Sequence, residues 1–393
     1  LCPGLVAEFM RITDIREATA AIGSEMSNAY VDFSQMTISV VAVESDTFRN
    51  GKAVTGYGFC SNGRYAQGGI LRERLIPRIQ AAAAADLLDE SGQNFDPRQI
   101  RKIMLTNEKP GGHGDRAVAA SAVDMAVWDL LAKLEEKPLW RVLSERYSGG
   151  DHDARVLVYP GGGYYYPGKG LQRLREEMRG YHDQGYKAVK MKIGAAPLAE
   201  DLARIEAVID EVGSGGDLAV DANGRFDLYT ALAYGDAMQD YGLFWFEEPG
   251  DPLDYSLNAE LTAAYSGAIA TGENLFSLQD ARNLARHGGM RPDIDWLQFD
   301  PALCYGLTEY LDILEVLEGL GWPRRRHIPH GGHQLALAMA AGLQLGGSES
   351  YPGVFQPFGG FADDTVVEGG RAEPGEHIGI GMEAKTAMFS EIQ

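Results

Sequence analysis

Residues 188–192 read AVKMK, 218–222 LAVDA, 243–248 LFWFEE, 268–273 AIATGE, 296–300 WLQFD and 326–330 RHIPH. Each is a short apolar run that closes on an ionisable residue, and each is the length of a strand rather than a helix. Between them lie AEDLARIEAVIDEV, LYTALAYGDAMQDY and LTEYLDILEVLEGL, with apolar residues at three-to-four spacing. Strictly alternating βα units predict a parallel sheet, and this many predict a closed barrel. With RVLVY (155–159) as its first strand, the expected fold is α/β, a TIM-like (β/α)7β barrel over residues 151–350.

The strand-closing residues keep time with that barrel. From Lys192 through Asp221, Glu247, Glu273 and Asp300 to His330 the steps are 29, 26, 26, 27 and 30 residues. One βα unit of a barrel of about 250 residues occupies roughly 31, so each step is one unit. These groups are therefore expected together at the C-terminal mouth. A single acid at a strand end is more often a helix cap. A run of ionisable groups in register is not explained that way.

Upstream, RITDIREAT alternates, TISVVAVES is β-branched, and AVTGYGF follows a turn at Arg49-Asn50-Gly51. LRERLIPRIQAAAAADLL and ASAVDMAVWDLLAKLEEKP then read as helices, the second closed by Pro138. Strands followed by helices predict an α+β domain over residues 10–150 that caps the barrel. Residues 351–393, rich in Gly and Pro, are expected to return to that cap, because the βα units have run out. The stretches NAYVDFSQM (28–36) and CSNGRYAQGG (60–69) read as polar loops closing the mouth. Asn62, Arg64 and Tyr65 are candidates there for a second substrate carboxylate and hydroxyls, an Arg–carboxylate fork suiting a diacid.

Composition narrows the partners. With 56 acidic against 35 basic residues the formal charge is −21, which opposes nucleic-acid binding and contact with an anionic membrane surface. No apolar run approaches the roughly 18 residues that span a bilayer. Cys2, Cys60 and Cys304 are odd in number and far apart, so they are expected as unpaired thiols in a reducing cytoplasm. LCPGLVAEF (1–9) has no basic leader and is not expected to be a signal peptide; the protein proper is expected to start at Met10.

The residue types carry chemistry. Asp221, Glu247 and Glu273 come from consecutive strands, and three carboxylates that close need a cation. Oxygen ligands with no Cys or His cluster suit Mg²⁺, which keeps positions open for substrate. Glu248 alternates to the other face and is the weaker ligand candidate. Lys190 and Lys192 share one face of their strand. Two enclosed ammonium groups are expected to lower each other's pKa, leaving one as a base near neutrality. Asp300 and His330 end neighbouring strands, an arrangement that orients an imidazole and raises its pKa. His113, His327 and His333 are expected in packing roles, with His333 starting the next helix.

In this order, Lys-x-Lys, Asp221, Glu247-Glu248-Pro249, Gly272-Glu273, Asp300 and His330 resemble the enolase superfamily, mandelate racemase-like subgroup. Enolase-type sites, which pair a Lys or His base with Mg²⁺, are a worked example of acid–base tuning. The blocks NEKPGGHG (107–114), GGYYYPGKG (162–170), DANGRF (221–226), GDPLDY (250–255), TGENLFS (271–277), IPHGGHQ (328–334) and ESYP (349–352) are similar to its D-tartrate dehydratase branch. The resemblance implies Mg²⁺ on Asp221, Glu247 and Glu273, Lys192 as base, and His330 as acid supported by Asp300. It implies Lys190 and Lys109 as substrate-contacting or pKa-tuning cations, and substrate contacts from Asn223 and Glu349. The sequence departs from the subgroup after Asp300, where PALCYGLTEY replaces the usual Gly-Gly-Ile. The implied reaction is dehydration of a small hydroxy-diacid through an enediolate, D-tartrate to oxaloacetate. Dehydration of another acid sugar, or racemisation or epimerisation by the same enolate step, is the alternative. The implied enzyme is a cytoplasmic homo-oligomer.

Overall fold

In the computed structural model, residues 9–22, 26–63 and 65–392 are described. Cys2, most of the 1–9 segment and Arg64 lie outside the described residues, as does the side chain of Asn62. The cap begins as an antiparallel meander of β1 (Ile12–Ala21), β2 (Thr37–Arg49) and β3 (Lys52–Gly63). Arg49 pairs with Lys52 across Asn50-Gly51, whose φ values of 50° and 77° make the left-handed two-residue turn expected of Asn-Gly.

Helices follow: α1 (Ala66–Ile70), α2 (Ile76–Gln80), α3 (Pro97–Met104), α4 (Asp115–Leu134) and α5 (Leu139–Tyr147). The long helix expected through AAAAADLL is not formed. A π-helical turn at Leu71–Leu75 precedes Pro77, and the helix stops at Gln80. A proline has no N–H to give the preceding turn, and the alanines that follow are too exposed for packing to keep the helix going. CSNGRYAQGG is likewise not a loop: Cys60–Gly63 completes β3 and Ala66 opens α1.

Helix α4 is buried from Ala117 to Lys133. It approaches β3 so closely that a Cβ on Gly56 or Gly58 would lie 2.1 Å from the carbonyl of Ala126 or 2.2 Å from that of Ala122. Its other contacts reach the rest of the chain. Asp124 accepts the Thr308 N–H (3.0 Å), and Asp129 accepts N–H groups from Tyr57 and, in the tail, Ile380.

The barrel runs β4 (Val156–Gly162), β5 (Val189–Lys192), β6 (Leu218–Asp221), β7 (Trp245–Glu247), β8 (Ile269–Thr271) and β9 (Trp296–Leu297), all parallel. RHIPH forms no regular strand. It lies as an extended stave against β9, bound by Ile328 N–H to Leu297 O and His330 N–H to Phe299 O. β10 (Ser348–Ser350) pairs in parallel with β4 and closes the circle. Helices α6 (Leu171–Asp183), α7 (Leu198–Val212), α8 (Leu228–Met238), α9 (Tyr255–Ala264), α10 (Leu278–His287), α11 (Leu307–Gly319) and α12 (Gln334–Gly342) alternate with the staves. This is the expected (β/α)7β arrangement.

The tail divides its contacts. β11 (Val367–Glu368) and β12 (Arg371–Ala372) add antiparallel strands to the N-terminal end of β4. Farther on, Gly379–Glu383 and α13 (Thr386–Ile392) meet the cap, where Glu383 pairs with Lys133 and Phe389 lies edge-on to Tyr57. Among the described residues, no helix is long and apolar enough to cross a membrane.

Candidate active site

Period-two alternation builds the site in layers. Tyr159, Ala188, Ala219, Trp245, Ala270 and Ile328 pack together as a plug of the barrel interior. Two residues further along their staves come Lys190, Asp221, Glu247, Gly272 and His330. Lys192 pairs with Asp221, and Asp221 with Glu247, in direct register. None of the strand-end acids caps a helix; Asp227, Asp254 and Ser277 do that a few residues downstream.

One ligand atom each from Asp221, Glu247 and Glu273 can be chosen so that all lie within 4.8 Å of one another. Burial, together with the charge of Asp221, pushes the Glu247 carboxyl up to about 8. Its Oε2 is held by Trp245 Nε1 (2.7 Å) and Gln298 Nε2 (3.0 Å). Glu273 Oε2 is buried without a hydrogen bond, with His330 Nε2 3.1 Å away. A crowded set of hard oxygens, one of them without a hydrogen bond, fits a divalent cation of the Mg²⁺ type. Glu248 stands apart from the trio, both oxygens held by Asn274 Nδ2.

The lysines depart from expectation. Lys190 is fully buried beneath the cavity and pairs with Glu247 Oε1 (2.6 Å), Glu349 Oε1 (2.8 Å) and Asp221 Oδ2 (3.5 Å). It therefore does not stand where a substrate would touch it. Lys192 does line the cavity, with Asp221 Oδ2 at 2.5 Å and the Tyr164 ring centroid at 5.2 Å. Burial pulls both ammonium groups down, but the surrounding carboxylates outweigh it and hold both above their ordinary value. The expected lowering is thus reversed, because each ammonium meets carboxylates from neighbouring strands more closely than it meets the other ammonium.

His330 meets Asp300 as expected, Nδ1 to Oδ2 at 2.8 Å. Burial works to lower the imidazole, but Glu273, Glu349 and Asp300 overcome it and raise it to about 10. Asn223 lines the cavity beside Asp221, with its Oδ1 buried and unpartnered. Glu349 is buried between Lys190 and His330.

The cavity holds about 1350 Å³ and is walled by barrel and cap together. Lys192, Asn223, Glu273 and His330 form its polar floor; Val31, Phe33, Met36 and Phe59 of the cap form an apolar wall. Tyr65 is 66% exposed and Lys109 exposed, and neither lines it. Tyr65 turns out at a left-handed position where its N–H is tied to Thr37 Oγ1. Lys109 lies on a loop whose carbonyls at Lys109 and Gly111 are gripped by Arg116. His113, by contrast, does line the cavity and bonds Tyr305 OH at 3.0 Å. His333 caps α12 as expected, its Nδ1 accepting the Ala336 N–H. His327 is buried and pushed down to about 3. Cys60 and Cys304 are buried free thiols.

Three contributors were not anticipated: Trp245 and Gln298 on Glu247, and Tyr351 between His330 and Glu349. The period of two was the available signal. Tyr351 and Trp245 each lie two residues from a recognised site acid, on the same face.

The match to the enolase C-terminal domain-like family spans residues 173–388. That to the mandelate racemase/muconate lactonizing enzyme N-terminal domain spans residues 33–144. The chain is similar to the arabinonate dehydratase of Saccharolobus solfataricus, 31% identical over 62% of this chain and 63% of that protein. It is similar to the L-talarate/galactarate dehydratase of Salmonella typhimurium, 28% identical over 79% of this chain and 73% of that one. A crystal structure of the latter, with Mg and L-lyxarohydroxamate, superposes with a TM-score of 0.78 at 25% identity, covering 96% and 92% of the two chains. With one family match across more than half its length, the chain belongs to the enolase superfamily, in its mandelate racemase/muconate lactonizing enzyme branch.

Proposed function

We propose that this chain is a Mg²⁺-dependent dehydratase of a small hydroxy-diacid, most specifically of D-tartrate to oxaloacetate. The observation that carries the reading is the sequence of contacts across one cavity. Lys192 stands against Asp221 on one side of the carboxylate trio, and His330 against Glu273 on the other.

A divalent cation held by Asp221, Glu247 and Glu273 would supply positive charge at the substrate carboxylate and withdraw the Asp221 charge that keeps Lys192 protonated. Lys192 Nζ then accepts the C2 proton, and the released pair spreads into the substrate carboxylate as an enediolate, returning to form the C2–C3 double bond as the C3 hydroxyl departs. His330 gives its Nε2 proton to the C3 hydroxyl, which leaves as water. Asp300 holds the ring in place through Nδ1. The enol left behind tautomerises to a 2-keto acid. Asn223 is assigned to substrate contact, whereas Glu349, buried against Lys190 and off the cavity wall, is not. Lys190 is assigned to balancing the floor rather than to touching substrate. Residues 10–150 serve as cap, 151–350 as catalytic barrel and 351–393 as the returning segment, in a cytoplasmic homo-oligomer.

A second reading, dehydration of a longer aldonate or aldarate, is favoured by the similarity to arabinonate and L-talarate/galactarate dehydratases and by the size of the cavity. The test is a panel of tartrate stereoisomers, galactarate and arabinonate with Mg²⁺, read as 2-keto acid. Turnover of tartrate alone supports the first reading and turnover of the longer acids the second. Inverted substrate without keto acid, or turnover undiminished by EDTA, would sink both.

A further inference from the structure

We propose that Tyr351 is a positioning residue for the acid half of the reaction, holding the Nε2–H of His330 where the departing hydroxyl must arrive. The inference rests on the dehydratase reading given above.

The chain is shaped around this side chain. Tyr351 is buried at the cavity wall, edge-on to Phe355 at 5.1 Å between ring centroids. Its ring fills space that a side chain on either of two neighbours would need. A Cβ on Gly161 would lie 2.8 Å from ring carbon Cε1, and one on Gly332 would lie 2.8 Å from Cδ2. Gly332 also has φ +56°, so it pays twice for any replacement. Held in that slot, the phenol oxygen is 3.1 Å from Glu349 Oε2 and 3.1 Å from His330 Nε2.

Donor and acceptor types fix the direction of these bonds. An ionised carboxylate only accepts, so the phenol proton points to Glu349. The phenol lone pair therefore faces His330 Nε2, which must be the donor. Nδ1 faces another carboxylate oxygen, Asp300 Oδ2 at 2.8 Å, and must donate as well. In the acid form that the elimination needs, the ring thus has an acceptor waiting at each nitrogen. Glu273 Oε2 at 3.1 Å and Glu349 Oε2 at 3.4 Å are the other acceptors within reach of Nε2, and the phenol oxygen competes with both for its hydrogen.

Y351F keeps the ring in its slot and removes only this contact. Tartrate stereoisomers and galactarate with Mg²⁺ serve as probes. Keto-acid formation should slow about 10- to 100-fold in kcat. KM should stay within about threefold, and exchange of the C2 proton with D₂O, which needs only Lys192, should persist. Unchanged kcat, or exchange and elimination falling together, would overturn the assignment. A second measurement needs no turnover. In the low-field proton spectrum of the unmodified protein, His330 should contribute two N–H resonances, assigned by their absence in H330N. An Nε2–H line that Y351F leaves unmoved overturns the inference. Two, with the Nε2–H line lost or displaced in Y351F, support it. If no probe turns over, the dehydratase reading fails while the resonances still decide the role of Tyr351.

Discussion

At the residue scale the site is a set of opposed side chains whose removal should separate two half-reactions. K192A is expected to abolish both keto-acid formation and C2 exchange. H330N should abolish elimination while leaving exchange measurable, each loss being about 10²–10⁴-fold. Unchanged circular dichroism and melting would show that neither variant unfolds, and full turnover by either would remove its assigned role. Their convergence on one mouth was legible in the sequence because strand spacing placed them in one layer. Their protonation was not. The Lys192 ammonium is held up by Asp221, 29 positions away in the chain, and only the parallel register of β5 and β6 makes the two neighbours. Tyr65 and Lys109 failed for a related reason, since residue type suggested a substrate contact but the local backbone turns both side chains away from the cavity.

At the scale of elements, the loop 107–114 is held over the mouth by a charged hub. Glu108 meets Arg74 at 2.5 Å, Arg78 at 2.8 Å and Arg116 at 3.1 Å, and Arg116 Nε also bonds Tyr305 OH at 2.8 Å. The hub thereby joins the α2 region, the start of α4 and the barrel loop after Asp300. Burial opposes ionisation of Glu108, but the three guanidinium groups outweigh it and hold the carboxyl at about 2, below its ordinary 4.5. Its contribution to stability is therefore full above pH 4.5 and lost as the pH falls from there towards about 2. E108Q should melt below the parent at pH 7, and the gap should close in melts taken at progressively lower pH below 4.5. A gap independent of pH would show that the hub does not act through charge. The hub also explains what sequence reading missed after Asp300. PALCYG carries Tyr305 at φ +63°, aimed at partners nearly 200 residues earlier, a contact with no local pattern to reveal it. The hairpin at Asn50-Gly51 and helix α4 were legible because their signals are local. RHIPH was legible as a stave, but its bonds to β9 are too few for a regular strand.

At the scale of the whole molecule, a chain of formal charge −21 carries a mouth that offers Lys192 and His330 to an anion. The distant field repels a dianionic substrate and is screened by salt, while contacts inside the cavity are screened far less. For a dianion, kcat/KM at saturating Mg²⁺ should therefore rise about twofold or more as ionic strength goes from roughly 0.01 to 0.15 M. A fall would mean that the local cations, not the net charge, govern approach. The interior has its own charge balance. Lys190, Lys192 and His330 are buried with Asp221, Glu247, Glu273, Asp300 and Glu349, while burial and the neighbouring acids favour the protonated form of Glu248. With Glu247 counted as ionised, because a metal ligand gives up its proton, three formal cations against five carboxylates leave a deficit of two in this buried cluster. The mouth of the barrel is in that sense an ion exchanger of valence two. A single divalent ion, or a pair of protons, restores neutrality, whereas one monovalent ion leaves an unmatched charge in a poorly solvated place. Valence selects the class of occupant before oxygen geometry chooses among its members.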